Sequence, residues 1–228
     1  MQVMIDDDHA QFLAAGAFVD SDAAPVIALA KRATAGSENR LDAILRLYAT
    51  IRDTITYDPY VDFTDAASYR ASGVLAAGQG FCVGKAALLA AAARAIGVPA
   101  RVGYADVRNH LTSPRLYRLI GTDVFIWHSY ADLFLDGRWV KATPAFDRAL
   151  CDWVGVKTLD FDGRNDSLFH PFDRSGRRHM QYLRDRGSFV DVPFDAIQAD
   201  FRRDYPNLMK GGRADGDFRA EAVAPTGE

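Results

Sequence analysis

Apolar residues recur every three or four positions through the first quarter of the chain and every second position through parts of its middle. That change of period marks a passage from helices to strands. Val26, Leu29 and Ala30 share one face of a helix expected over 25–34, with Ser21 and Asp22 as capping types, Pro25 in the first turn and Gly36 as the stop. Leu41, Ile44, Leu45, Tyr48 and Ile51 form the stripe of a second helix that starts near Ser37 or Asn39. It ends before Tyr57-Asp58-Pro59, since the residue preceding a proline is pushed out of helical geometry. A third helix is expected over 82–96, with Gly97 as a left-handed stop and Pro99 just beyond. It is so rich in alanine that other elements can approach it closely. A strand is expected over 100–105, and two more over 125–135 and 139–143, joined at the two-residue hairpin turn Asp136-Gly137. A long helix packed on an antiparallel sheet gives an α+β class. The C-terminal third has less pattern: 159–171 shows little periodicity, and a short helix is expected over 194–205.

Composition narrows the class without naming a function. In 228 residues, 49% are hydrophobic and 25% charged, as in an ordinary globular protein. The expected layout is a single domain over 1–206, with its core at about 23–147 and an extension over 148–206. A tail over 207–228, dominated by Gly, Ala, Asp and Arg, is expected to be disordered or loosely attached. A net charge of −3 gives no reason to expect a nucleic-acid or membrane partner. The longest apolar run, 86–93, is far too short to span a bilayer. The first residues are acidic, without the basic start and apolar stretch of a signal peptide. Two cysteines, Cys82 and Cys151, make no disulfide framework. A cytoplasmic protein with reduced thiols is therefore expected. Asp6-Asp7-Asp8-His9 reads as a flexible acidic terminus rather than a metal site. No P-loop, dinucleotide glycine motif or CxxC pair occurs, and no cofactor is expected. The sequence does not give the oligomeric state.

The chemistry concentrates in the middle. Cys82 follows the glycine-bearing turn Gly78-Gln79-Gly80 and opens the alanine-rich helix. The positive end of a helix lowers a thiol's pKa, which makes Cys82 a candidate nucleophile. The amide of Cys82, with the side chain of Gln79, could hold the oxyanion of a tetrahedral intermediate. A buried packing cysteine is the competing reading, and Cys151 is read that way. His128 lies in Ile126-Trp127-His128-Ser129-Tyr130, an aromatic strand that would hold an imidazole rigid. His9, His110, His170 and His179 lack that setting. A base needs an orienting partner. Extending the ladder from the hairpin turn pairs Tyr130 with Thr143 and Ile126 with Asp147, so both flank His128 diagonally. Asp147 offers the better chemistry and Thr143 the firmer register. Asp132, on the same face, is too distant and is expected to be solvated.

Gly80-Phe81-Cys82, Ala86-Ala87-Leu88-Leu89 and Arg94-Ala95-Ile96-Gly97-Val98-Pro99-Ala100-Arg101 resemble the nucleophile helix and following strand of the transglutaminase-like superfamily. The stretch 128–135 with Gly137-Arg138-Trp139-Val140 resembles its histidine hairpin, and the resemblance covers about 23–147. It implies a papain-like α+β fold, a helical N-terminal lobe and a Cys-His-Asp triad. The activity implied is acyl transfer or hydrolysis, on a peptide, protein or small amide, through a thioester. Hydrolysis is favoured because the chain has no room for the appendages of cross-linking members. The family's Asp-Pro-Thr after the tryptophan strand is here Thr143-Pro144-Ala145. Either Asp147 substitutes, or Thr143 leaves a dyad, or the protein keeps the fold as an inactive binding scaffold.

Overall fold

The computed structural model describes residues 7–110, 112–214, 216 and 218–222. In chain order the elements are α1 (Ala24–Ala33), α2 (Arg40–Thr54), β1 (Thr56–Tyr57), α3 (Ala71–Ala77), β2 (Gln79–Gly80) and α4 (Cys82–Ala95). Then come β3 (Ala100–Asn109), α5 (Pro114–Ile120), β4 (Val124–Leu135), β5 (Arg138–Ala142), α6 (Arg148–Val154), β6 (Met180–Phe189), α7 (Phe194–Asp204) and α8 (Phe218–Ala222). The α+β class holds: a four-stranded antiparallel sheet in the order β5-β4-β3-β6, and a helical N-terminal lobe with α4 at its centre. Among the described residues no helix is long and apolar enough to cross a membrane.

Helix α4 is buried on every side, from Val83 through Arg94. One side lies on β4 and β3, and the others meet α1, α2 and α3. Runs of alanine make this possible, because helices and strands can close on it without large side chains between them. Two features fix its position. Gly84 faces the carbonyl of Ser68 and a methyl of Val74, each of which would stand 2.5 Å from an added Cβ. Lys85 is completely buried, and its ammonium donates to the carbonyls of Arg52 (3.0 Å) and Ile55 (2.5 Å), tying α4 to the end of α2.

The expected helices and hairpin are present, with Asn39 capping α2, Gly97 at φ 76° and the turn Asp136-Gly137 at φ 49° and 81°. Strand β3 runs four residues further than its alternation suggests. Helices α3, α5 and α6 were not expected. Each is seven residues long, too short to show a period, and each ends on a left-handed glycine: Gly78, Gly121 and Gly155. Strand β6 was also missed, because two register shifts against β3 break its alternation. Asp132 is not solvated; it is buried and paired with Arg101 at 2.8 Å.

The tail does not hang free over its described length. Gly212, Arg213, Ala214 and α8 contact the core, while residues 223–228 lie outside the described residues.

Gly84→Ala sets two effects against each other. Helix propensity favours alanine by about 1 kcal/mol, and overpacking of a tight core costs about 1–3 kcal/mol. With backbone on one side of the added methyl, the overlap wins. Urea unfolding should show a net loss of about 1–2 kcal/mol; a gain in stability would mean that α4 has slack against α3.

Candidate active site

Cys82 is the first residue of α4, and Phe81 before it has an extended backbone and no side-chain cap. The amides of the first turn therefore lack an intrahelical partner. The amides of Val83 and of Cys82 itself act on the sulfur, and so does the amide of Ser129 in β4. Ser129 is the residue after His128, so the nucleophile helix meets the histidine strand at this point. Cys82 keeps part of its surface accessible. Surrounding atoms nevertheless crowd it, and burial pushes the thiol up to about 11, outweighing those three amides. The expected lowering of the thiol pKa is thus reversed.

His128 is aimed by a defect in its strand. Between the pairs Ala105↔His128 and Val107↔Phe125, β4 has two residues, Ile126 and Trp127, opposite the single Asp106. The extra residue is a β-bulge, and Trp127 takes up the turn at φ 59°. A bulky residue in that region costs on the order of 1–3 kcal/mol and needs support. Support comes from several directions. The Trp127 amide donates to Asp106 (3.2 Å) and its indole N–H to Asp200 (2.8 Å). Arg186 bridges both carboxylates and lies 4.4 Å over the indole ring. The Tyr205 hydroxyl accepts from the Ile126 amide and donates to the Val124 carbonyl, satisfying the groups the bulge frees. No sequence signal announces a left-handed tryptophan, so simple alternation misplaced Ile126.

The imidazole is buried against the rings of Phe169, at 5.1 Å, and Tyr182, at 6.3 Å. Burial, aided by the nearby His179, pushes its pKa down to about 3. His179 is itself buried and pushed down to about 4, chiefly by desolvation. The segment carrying Phe169 lies outside the region that resembled the family, and no sequence pattern assigned it a role.

The structure corrects the expected third residue in its geometry. The ladder of β4 and β5 ends at Ala131↔Ala142, and Thr143 instead donates its amide to Ser167 (3.0 Å). Pro144 takes the chain off the sheet. Asp147 lies outside that ladder; it caps α6, accepting from the Leu150 amide (2.9 Å) and the Tyr57 amide (3.4 Å). Neither residue hydrogen-bonds Nε2 of His128, which is buried without a partner, as is the Thr143 hydroxyl. Gln79 lies in β2, paired with Thr56, and does not line the cavity.

Cys82 and His128 line one cavity of about 70 Å³, walled by Phe81, Phe125, Phe146 and Phe169. No cluster of His, Cys, Asp and Glu among the described residues could hold a metal ion. The site is thus a neutral thiol and a neutral imidazole sharing a largely aromatic cavity at a helix N-terminus.

The fold has a counterpart among solved structures. A crystal structure of a putative cysteine protease from Cytophaga hutchinsonii superimposes with a TM-score of 0.53 over 86% of this chain, at 19% identity. The chain spans about half of that protein, 51% of its length. No curated protein matches the sequence. The profile of the transglutaminase-like superfamily matches residues 27–144, more than half of the chain and the stretch that carries both Cys82 and His128. This chain belongs to the transglutaminase-like superfamily.

Proposed function

We propose that the protein is a cysteine-dependent enzyme that acts on an amide or peptide carbonyl, with Cys82 as nucleophile and His128 as general base and acid. The observation that carries the reading is the meeting of α4 and β4, where the Ser129 amide reaches the Cys82 sulfur beside His128 and both residues face one cavity. A fold neighbour named for cysteine protease chemistry supports it.

In the first step the imidazole takes the thiol proton as sulfur attacks the carbonyl carbon, and the tetrahedral oxyanion forms near the amide of Cys82; Gln79, which lies outside the cavity, is left without a role in this step. The carbon–nitrogen bond breaks, the imidazolium protonates the leaving amine, and a thioester remains. Water then gives a proton to the imidazole and its oxygen to the carbonyl carbon, the carbon–sulfur bond breaks, and the proton returns to sulfur. Water as acceptor makes the reaction hydrolysis, the favoured outcome; an amine would make it transfer. A neutral thiol beside a neutral imidazole suits this concerted proton transfer, since neither group must first be charged in a buried site. Asp147 is occupied by the start of α6, so the reading favours a dyad in which Thr143, with a hydroxyl to spare, is a weak orienter. Two free thiols suit a reducing compartment such as the cytoplasm.

A second reading is a binding protein that has kept the fold and lost the chemistry. The unpartnered Nε2 and Thr143 hydroxyl and the raised thiol favour it. Intact-mass analysis with activated acyl esters and peptide amides separates the two. The enzyme reading expects one acyl adduct on Cys82, absent from Cys82→Ala, and an acylation rate reduced about 10²–10⁴-fold in His128→Ala. A chain that forms no Cys82 adduct with any acyl donor is a binding protein.

The acylation rate should be flat between about pH 5 and 9. His128 gains its proton only near pH 3 and Cys82 loses its proton only near pH 11. A limb near 6.5 or 8.5 would show that the working site is hydrated.

Asp147→Asn keeps a capping side chain. A dyad predicts a rate within about threefold of the parent, whereas a carboxylate that orients His128 predicts a loss of about 10²-fold or more. Thr143→Asp, which restores the family's residue, should raise the acylation rate if the triad has been reduced.

A further inference from the structure

The C-terminal segment lies across the cavity that holds Cys82 and His128. Phe218 lines the cavity with them and bridges the two apolar clusters of the protein. Its ring meets the rings of Tyr57 at 5.8 Å and Tyr60 at 6.2 Å, both edge-on. Polar contacts latch the segment on either side of this ring. Before it, the Gly212 amide donates to Asp62 (2.9 Å), Arg213 pairs with Asp58 (3.1 Å), and the Ala214 amide donates to the Tyr60 carbonyl (3.1 Å). After it, Glu221 accepts from the hydroxyls of Tyr60 and Ser113 and faces the Arg115 guanidinium at 3.5 Å.

This is a weak latch over a sensitive place. Both arginines of the latch stand partly in solvent, which weakens their ion pairs, and α8 has only five residues. Such a segment opens more readily than the core beneath it. With the ring in place, the cavity left beside Cys82 is about 70 Å³, well below the roughly 300–1,000 Å³ of a typical ligand pocket. Phe218 takes up part of the space beside Cys82 that a substrate side chain would need. Aromatic rings dominate the walls of the cavity, so a polar side chain would find few partners there, at a cost of about 1–3 kcal/mol.

We infer that Phe218 occupies the subsite for a large apolar side chain of the acyl donor, so that the C-terminal segment closes the site in cis as a substrate mimic. The inference rests on the reading of Cys82 as the acyl-accepting nucleophile. It names the substrate class, an amide or peptide with an aromatic or bulky aliphatic residue at the reacting carbonyl. It also names a form of regulation, displacement of the chain's own tail.

The test is the rate at which iodoacetamide alkylates Cys82 in the full-length protein, read by peptide mass spectrometry with the buried Cys151 as an internal reference. Phe218→Ala should speed Cys82 alkylation at least about tenfold and leave Cys151 unchanged. Glu221→Gln, which loosens the latch without altering the cavity wall, should speed it severalfold. N-acetyl-phenylalaninamide should slow the reaction of the Phe218→Ala protein again, and N-acetyl-glutaminamide should not. The inference is overturned by unchanged Cys82 rates in both variants. It is equally overturned if Cys151 accelerates to the same degree, or if the two amides protect alike. Alkylation reads access to the sulfur whether or not it turns over substrate. A protein that labels as expected and still forms no acyl adduct would therefore defeat the enzymatic reading alone.

Discussion

The burial of α4 on all sides is the constraint from which the site follows. A helix wrapped by three others and by a sheet has no freedom to slide or rotate, and Gly84 and Lys85 remove what little remains. Its first residue therefore stands at a fixed place beside β4. The strand contributes the complementary feature, a bulge that holds Trp127 in a left-handed conformation and delivers His128 and the Ser129 amide to that place. The Asp106–Arg186–Asp200 network and Tyr205 serve the site although none of them touches the sulfur. They keep a strained residue in position.

The electrostatics of the site is decided by enclosure rather than by the helix dipole. An exposed helix terminus is worth about 0.3–1 kcal/mol to a charge, less than a tenfold change in acidity. Burial acts on a much larger scale and in the opposite direction for an anion. Hence Cys82 and His128 both favour their neutral forms. Each would be more nearly ordinary in a site open to water.

Most of the framework could be read from the chain because it is periodic. The helices over α1, α2 and α4 carry clear stripes or a run of alanine, and the Asp136-Gly137 turn fixes the hairpin register from Leu135↔Arg138 to Ala131↔Ala142. Legibility stopped where structure is set by long-range contacts. Strand β6 is disguised by its bulges, and short helices end on glycines that look like ordinary turns. The candidates Cys82 and His128 were visible from local setting, the first at a helix start and the second in an aromatic strand. The position of Asp147 was not, because Pro144 ends the ladder and the carboxylate is drawn to the amides of α6. Phe169 and Phe218 come from segments with no family pattern and reach the cavity only through the fold.

The central claim is that sulfur and imidazole share one buried cavity, and NMR of isotope-labelled histidine tests it most directly. The account predicts that the His128 ring stays neutral from pH 8 down to about pH 4, and that attaching a methylthio group to Cys82 moves the His128 ring signals while leaving those of His170 in place. A His128 ring that titrates near 6.5, the ordinary value, and that is indifferent to modification of Cys82 would contradict it.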